Sequence, residues 1–243
     1  MQIELCWDAG NGMRLPISYH HIIQGMIYHN LSFSQENDAY GDFLHDEGYI
    51  WGERQFRQFT YGQIKGKYTL ENGWITFRDK VRLEIRSPEP LMILTLADNI
   101  DCSGIRLQQE QYKPDIFLSD QTVEADSIRV RMLSPICLYR TDPATKHTYY
   151  IDPWSPDFKS MANENMIRKY LAFYKVPPVT NVSVTPLRVS EKSKYITKYK
   201  GFIVCGWFGE YELRGERKYL DYLYQAGIGA KNSQGFGMFE VLG

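Results

Sequence analysis

The sequence is poor in the features that mark several protein classes. It has four cysteines in 243 residues. None of them forms a CxxC pair, so neither a disulfide framework nor a zinc site is indicated. No apolar run approaches the ~20 residues that a membrane span requires, and the N-terminus lacks the basic flank and apolar stretch of a signal peptide. We therefore expect a cytoplasmic protein with free thiols and no membrane partner.

An excess of positive charge is also missing. The formal net charge is −1 at pH 7, whereas proteins that bind nucleic acids usually carry a basic surplus. Any nucleic-acid site must therefore come from local clusters of lysine and arginine. Aromatic residues are plentiful at 14%, and 18 of them are tyrosines. Their rings can stack on unpaired bases, although such rings fill hydrophobic cores more often.

The first 31 residues contain a strand pattern followed by a helix pattern. Residues 2–7 alternate apolar and polar side chains, which predicts a strand. Ser18 is a suitable N-cap for a helix that runs to about Leu31. The apolar side chains of this helix form one stripe, and Tyr28 falls on the opposite face.

A second, shorter helix is predicted directly after the first. Ser32 and Gln35 have the spacing of a capping box, which favours a helix start at this point. The helix would end before Gly48, and His45 would lie in or just after its last turn. A histidine in that place can simply cap carbonyl groups, so its position alone does not assign it a function.

Strand patterns dominate the rest of the first half. Asn72-Gly73 separates the apolar segments 68–70 and 74–77, which is a strong hairpin signal. A helix is then predicted over 87–97 and a strand over 105–111. The order strand, helix, hairpin, helix, strand is that of a ferredoxin-like domain.

The same order returns in the second half, after a polar stretch at 119–122. The predicted elements are a strand at 127–139, a helix at 158–174, strands at 182–189 and 201–213, a helix at 216–226 and a strand at 237–242. We therefore predict an α+β fold of two tandem ferredoxin-like domains with antiparallel sheets, comprising residues 1–118 and 119–243.

Near the C-terminus, residues 227–237 read GIGAKNSQGFG, a near-symmetric frame of four glycines. A dinucleotide-binding loop needs a strand before the glycines and a helix after them, and the order predicted here is the reverse. A phosphate loop is excluded because no GK[ST] follows. The remaining interpretations are a tight helix-to-strand turn and a loop whose backbone approaches a ligand closely. Within the loop, Lys231 supplies charge, and Asn232 and Ser233 supply hydrogen-bonding groups.

This loop and residues 238–241 closely resemble the signature of the CRISPR-associated endoribonucleases that process precursor CRISPR RNA, in the superfamily of repeat-associated RNA-binding proteins. Further similar segments span both halves of the chain, at 15–28, 43–45, 59–61, 131–136 and 150–158. The resemblance implies an endoribonuclease that cuts within the repeats by attack of a ribose 2′-hydroxyl on the adjacent phosphate. The products would be a 2′,3′-cyclic phosphate and a 5′-hydroxyl, and neither a metal nor another cofactor is expected.

The resemblance places the catalytic tyrosine of the family at Tyr28, its histidine at His45 and its third residue, usually a lysine, at Arg57. Arginine keeps the positive charge and can donate two hydrogen bonds to a phosphate, but it does not readily transfer a proton. Lys65 or Arg54 could take that role instead. Histidine titrates near neutrality, whereas an ordinary tyrosine, with a pKa of about 10, stays protonated. His45 is therefore the better candidate for proton transfer, and Tyr28 either positions the hydroxyl or acts as a base with a lowered pKa.

Two groups of residues are candidates for holding RNA. The first is a set of lysines whose even numbering would place them on one face of a strand, as a basic stripe for phosphates. The alternative is a solvated hairpin edge protected by lysines. These residues are Lys192, Lys194, Lys198 and Lys200. The second group belongs to the glycine-rich loop and comprises Gly227, Gly229, Lys231, Asn232, Ser233, Gly235 and Gly237.

The predicted partner is CRISPR repeat RNA, and the resemblance also allows other CRISPR effector subunits and a homodimer as partners. One alternative is a non-catalytic RNA-binding subunit of a CRISPR effector complex. This alternative stays open because Arg57 stands where the family usually has a lysine. Another is a ferredoxin-like interaction or metabolite-binding domain. That alternative predicts no salt-sensitive affinity for RNA.

Overall fold

The computed structural model describes residues 1–10, 12–32 and 41–242. Strands and helices alternate in the first half of the chain, as predicted. The elements are β1 (Gln2–Asp8), β2 (Met13–Pro16), α1 (His20–Leu31), a π-helical turn (Phe43–Glu47), β3 (Tyr49–Trp51), β4 (Arg54–Phe56), β5 (Thr60–Tyr61), β6 (Lys65–Glu71), β7 (Trp74–Arg86), α2 (Pro90–Ser103), β8 (Ile105–Leu107), β9 (Glu110–Tyr112) and β10 (Asp115–Ser119).

The long strand β7 organises the first sheet. β1 and β2 pair with β7 along one edge, β5 and β6 pair along the other, and β10 pairs with the free edge of β1, all antiparallel. The predicted hairpin is confirmed between β6 and β7, where Asn72 and Gly73 have φ of 50° and 81°. These left-handed conformations suit the right-handed twist of the two strands. The order β10-β1-β7-β6 follows from a βαββαβ chain path.

The second half repeats this plan with different sequence. Its elements are β11 (Ser127–Met132), β12 (Tyr139–Thr141), β13 (Thr148–Tyr150), α3 (Phe158–Tyr174), β14 (Ser183–Arg188), a 3₁₀ turn (Glu191–Ser193), β15 (Lys194–Tyr199), β16 (Phe202–Trp207), β17 (Glu210–Arg214), α4 (Arg217–Ala226), a 3₁₀ turn (Asn232–Gln234) and β18 (Phe239–Leu242). The sheet order is β14-β17-β11-β18, and β15 with β16 forms a separate hairpin. The predicted fold of two ferredoxin-like units is confirmed.

Each unit has its own hydrophobic core, because each sheet buries one face against its two helices. In β1 the predicted alternation is confirmed, since Ile3, Leu5 and Trp7 are all buried. Polar contacts then join the two units. The buried guanidinium of Arg86, on β7, donates to the carbonyl oxygen of Phe239, on β18, at 2.7 Å. Among the described residues, no helix has the length and apolar character to span a bilayer.

Several predicted boundaries in the first half are wrong. The N-cap of α1 is Tyr19 rather than Ser18, and no side chain caps the helix. The helix predicted from residue 87 begins at Pro90, because proline is favoured in the first helical turn, where its missing N–H costs nothing. The strand predicted over 105–111 is the hairpin β8–β9, with Gln108 at φ 58° in its turn. The edge strand that completes the sheet is β10.

Of the second predicted helix, only part can be compared with the structure. Ser32 is the C-cap of α1, and Gln35 lies outside the described residues. His45 lies in the π-helical turn, which ends at Gly48. The predicted position of His45 near a helix end is therefore confirmed, although the turn has π-helical hydrogen bonding.

Two predicted strands of the second half are each interrupted. The strand predicted over 127–139 ends at Met132, because the amides of Leu133 and Ser134 turn to the carbonyl oxygen of Met238. The strand predicted over 201–213 is divided into β16 and β17 by Gly209, whose φ is 123°. The first interruption leaves residues 135–137 beside the glycine-rich loop, where the carbonyl oxygens of Pro135 and Cys137 accept from the amides of Gly237 and Ala230.

Candidate active site

Three separate segments of the first unit bring Tyr28, His45 and Arg57 together. Tyr28 lies on α1, His45 in the π-helical turn, and Arg57 just after β4. The rings of Tyr28 and His45 meet edge to face, with centroids 5.2 Å apart. Arg57 donates from Nη2 to the carbonyl oxygen of His45 at 2.7 Å and from Nη1 to that of Glu47 at 2.9 Å. Arg57 therefore braces the turn that carries the histidine.

His45 is open to solvent, and a carboxylate orients it. Its side chain is 61% exposed, and its Nδ1 lies 2.6 Å from Oδ1 of Asp46. A carboxylate oxygen can only accept, so Nδ1 carries the proton in this contact. The lone pair of the neutral ring is then on Nε2, which is free to take a proton from a substrate. The same carboxylate stabilises the imidazolium that results.

Tyr28 is largely buried, in contrast to His45. Its ring packs against Phe59 with centroids 5.9 Å apart. Burial raises the pKa of the Tyr28 hydroxyl, and the positive charge of Arg57 opposes that shift. The hydroxyl therefore keeps its proton at neutral pH and is available as a donor.

The glycine-rich loop (residues 227–237) connects α4 to β18 and folds back on itself. The amide of Ile228 donates to the carbonyl oxygen of Gly237 at 2.8 Å, which closes the loop at its base. A Cβ built on Gly237 would lie 2.0 Å from the carbonyl oxygen of Ile228, and one on Gly235 would lie 2.6 Å from Nδ1 of His20. Both residues also have φ of 82°. Glycine is therefore required at these positions by close packing as well as by backbone conformation.

The loop docks on α1, beside the candidate catalytic residues. Gln24 donates from Nε2 to the carbonyl oxygen of Ser233 at 2.7 Å. Nδ1 of the buried His20 lies 2.7 Å from the carbonyl oxygen of Gln234. The Ser233 side chain also lies close enough to the Tyr28 hydroxyl to oppose the rise in its pKa. The second unit therefore completes a site whose other residues come from the first.

A buried lysine that the sequence analysis missed lies beneath the loop. Lys169, on α3, is 3% exposed. Its Nζ donates to the carbonyl oxygens of Gly227 at 2.5 Å and Gly229 at 3.2 Å, and to Oδ1 of Asn232 at 2.9 Å. Burial lowers the pKa of Lys169 to about 7. The signal that could have found it is its helical spacing from Met166, on the buried face of α3.

Asn232, Gly227 and Gly229 contribute to the structure of the loop. The side chain of Asn232 is buried and donates from Nδ2 to the carbonyl oxygens of Ile228 and Phe236, at 3.1 and 3.0 Å. Its Nδ2 is used inside the loop and its Oδ1 accepts from Lys169, and RNA binding by Asn232 stays a prediction.

A cleft of about 510 Å³ opens between the two units. The first unit contributes Arg54 and Arg57 to its wall, and the second contributes Lys231 and Ser233. Lys231 lies over the ring of Tyr139, with Nζ 5.0 Å from the ring centroid. The cleft therefore concentrates cations in a chain of net charge −1, as a local basic cluster would.

A larger cavity of about 890 Å³ lies elsewhere between the units. It contains none of the three candidate catalytic side chains. Its lining is rich in carboxylates, which repel phosphate, and includes Glu4, Glu84, Asp120, Glu124 and Glu240. Lys65 also lines this cavity, so of the two proposed substitutes for the family lysine only Arg54 shares the cleft with Arg57.

Comparison with known proteins identifies the family. Residues 118–241 match the family model for the C-terminal region of CRISPR-associated protein Cas6. The chain belongs to the Cas6 family. It is 32% identical to the CRISPR-associated endoribonuclease Cas6 2 of Methanocaldococcus jannaschii over 242 residues, covering 91% of each protein. It is 25% identical over 252 residues to Cas6 1 of the same organism, covering 98% of this chain and 91% of that protein.

Solved structures show the same fold at lower identity. A structure described as CRISPR-associated protein Cas6 aligns over 100% of this chain and 99% of its own, with a TM-score of 0.77 and 23% identity. A protein described as a RAMP protein binding different RNA substrates aligns over 100% of both chains, with a TM-score of 0.83 and 18% identity. Both likenesses extend over the two ferredoxin-like units.

The predicted lysine stripe of this Cas6-family chain is shorter than expected. Lys194 and Lys198 lie on the exposed face of β15, on either side of Ile196. Lys192 lies in the preceding 3₁₀ turn, and Lys200 lies in the hairpin turn with φ of 46°. The strand is too short to hold all four, because the chain reverses directly after Tyr199.

The tyrosines between these lysines face inward and attach the β15–β16 hairpin to α1. The Tyr195 hydroxyl lies 3.2 Å from Nε2 of His20, and the Tyr199 hydroxyl donates to Oε1 of Gln24. Their rings are therefore committed to packing. In the described part of the chain, no group of three or more His, Cys, Asp or Glu side chains is arranged to hold a metal ion.

Proposed function

We propose that this chain is an endoribonuclease that cuts precursor CRISPR RNA within its repeats. Its relatives in the Cas6 family are named CRISPR-associated endoribonucleases. The observation that carries the proposal is the convergence of His45, Tyr28 and Arg57 beside a glycine-rich loop and a basic cleft. Residues 1–118 would form the domain with the catalytic side chains, and residues 119–243 the domain with the loop.

The proposed reaction needs acid–base groups and a positive charge but no metal. The 2′-hydroxyl loses its proton to a base, and its oxygen forms a bond to the adjacent phosphorus. The bond from phosphorus to the 5′-oxygen breaks, and that oxygen takes a proton from an acid. The products are a 2′,3′-cyclic phosphate and a 5′-hydroxyl. A positioned general acid or base typically contributes ~10²–10⁴-fold to such a rate.

In this proposal His45 is the base and Tyr28 is the proton donor to the 5′-oxygen. The His45 side chain is largely exposed, and Nε2 of the neutral ring is unprotonated when Nδ1 bonds to Asp46. The Tyr28 hydroxyl keeps its proton because burial raises its pKa, which disfavours a base role. Arg57 would stabilise the charge that develops on the phosphate, and its guanidinium also holds the backbone of His45 in place.

The Tyr28→Phe variant tests the donor role. Phenylalanine keeps the ring contacts with His45 and Phe59 but removes the hydroxyl. We expect the single-turnover cleavage rate to fall by ~10–100-fold, with RNA affinity unchanged. Tyr68→Phe, at an exposed tyrosine of β6 outside the cleft, is the matched control and should cleave at the wild-type rate. Equal rates for Tyr28→Phe and wild type would remove Tyr28 from the mechanism.

The proposal as a whole is tested with end-labelled CRISPR-repeat RNA in the presence of EDTA. We expect one cut that leaves a 2′,3′-cyclic phosphate. Tight binding without a cut would instead favour the non-catalytic RNA-binding subunit. Arg57→Lys would then be the first variant to test for a gain of cleavage. An absence of salt-sensitive binding would contradict both and favour a ferredoxin-like domain with another ligand. Other effector subunits and a homodimer remain predictions.

A further inference from the structure

Lys169 is a buried cation that the proposed chemistry does not use. It lies under the glycine-rich loop, and both units fix its position. Its backbone carbonyl oxygen accepts a hydrogen bond from Nε2 of Gln58, in the first unit, at 2.9 Å. Oε1 of Gln58 in turn accepts from the hydroxyl of Tyr222, on α4, at 2.7 Å. Lysine is rarely buried to this extent, so the position calls for a physical explanation.

The contacts of Lys169 fit an ammonium group and fit an amine poorly. An ammonium has three N–H donors and no lone pair, and Nζ has three oxygen acceptors, on Gly227, Gly229 and Asn232. A neutral amine has two N–H donors and one lone pair. In the neutral form, one of the three oxygens would lose its partner and face a lone pair, which is repulsive.

The loop residues bonded to Lys169 lie next to a residue that contacts α1 near Tyr28. Asn232 precedes Ser233, whose carbonyl oxygen accepts from Gln24 on α1. The Ser233 side chain lies close enough to the Tyr28 hydroxyl to influence its pKa. We infer that Lys169, as an ammonium, is a positioning residue that holds the glycine-rich loop in the conformation required for RNA cleavage. This inference rests on the proposed function and deepens it.

The surroundings of Lys169 make its charge sensitive to pH and to RNA. Burial lowers the pKa of Lys169 to about 7, and the oxygens bonded to Nζ are uncharged. A phosphate bound in the cleft would favour the ammonium form, so RNA binding and protonation should reinforce each other. The other charged and titratable side chains that line the cleft or contact this network are Glu53, Arg54, Arg57, Tyr139, Lys231 and Tyr222.

The test compares Lys169→Met with wild type in single-turnover cleavage of repeat RNA between pH 6 and 8.5. At pH 6 we expect the variant to be at least about tenfold slower. The ratio of the wild-type rate to the variant rate should shrink as the pH rises above about 7, because wild type then also loses the ammonium. Effects of pH on groups that the two proteins share cancel in this ratio. Lys159→Met, at an exposed lysine of α3, is the control and should match wild type at every pH.

A ratio that is constant across the pH range would overturn the inference, because a purely structural side chain has no reason to follow a titration. Equal rates for Lys169→Met and wild type would overturn it as well. A wild-type protein that cuts at no pH would contradict the proposed function instead.

A second measurement on wild type covers the case in which Lys169→Met does not fold. Hydrogen exchange of the amides in residues 227–237, corrected for intrinsic rates, should lose protection above about pH 7, while α4 keeps its protection. Loop protection that does not change with pH would count against the inference.

Discussion

His45→Ala is expected to slow cleavage of repeat RNA by ~10²–10⁴-fold, the usual contribution of a general base. The His45 side chain is exposed, and its contacts are with the ring of Tyr28 and the exposed carboxylate of Asp46, so the variant should fold normally. In the proposed complex the RNA is held by the cleft, whose lining does not include His45. We therefore expect its dissociation constant to stay within about threefold of the wild-type value. Single-turnover rates at saturating protein separate the two quantities.

The matched control for this prediction is His21→Ala. His21 is an exposed histidine on α1, and its ring contacts the carbonyl oxygen of Ser18 rather than a carboxylate. It should cleave at the wild-type rate. If His45→Ala cleaved as fast as His21→Ala, His45 would not be the base, and another group would have to accept the proton of the 2′-hydroxyl.

Gly237→Ala is expected to abolish the folded form of the glycine-rich loop. The added Cβ would lie 2.0 Å from the carbonyl oxygen of Ile228 and 2.6 Å from Nδ2 of Asn232. The φ of 82° is also unfavourable for alanine, and strain of this kind costs of order 1–3 kcal/mol. The loop would have to open and release Ser233 from α1. We expect RNA affinity to fall by about 100-fold, with a lower Tm, as filter binding and thermal unfolding would show.

Gly73→Ala separates the backbone strain from the steric clash. Gly73 has a similar φ of 81°, but a Cβ there meets no atom of the described residues within 4 Å. It lies in the β6–β7 turn, away from the loop. We expect it to lower stability by about 1 kcal/mol and to leave RNA affinity unchanged. If both variants bound RNA equally well, the glycine-rich loop would not contribute to RNA binding.

The order and type of the main elements could be predicted from the sequence. The alternation in β1, the Asn-Gly turn between β6 and β7, and the bounds of α3 are local signals that depend on residues close in the chain. The interruptions after Met132 and at Gly209 could not be predicted, because both depend on contacts with distant segments. Hydrophobic periodicity indicates which face is buried but not which segment covers it.

In the candidate site, too, some features could be predicted from the sequence and others depend on the tertiary structure. Tyr28, His45 and Arg57 follow from the resemblance of the sequence to its family, and the fold brings them together from α1, the π-helical turn and the end of β4. The proton-transfer roles proposed for His45 and Tyr28 depend on the burial of Tyr28 and on the contact between His45 and Asp46. The sequence shows that Asp46 follows His45 but not that their side chains meet.

The sequence by itself therefore determined the fold class, the glycine-rich loop and the side chains that can perform acid–base chemistry. Only the tertiary structure decided that Lys169 lies beneath the loop, that Asn232 points into it and that two of four lysines share a strand face. The physical reason is that Lys169 bonds to partners about 60 residues away in the chain, and the energy of a buried charge depends on what surrounds it in space.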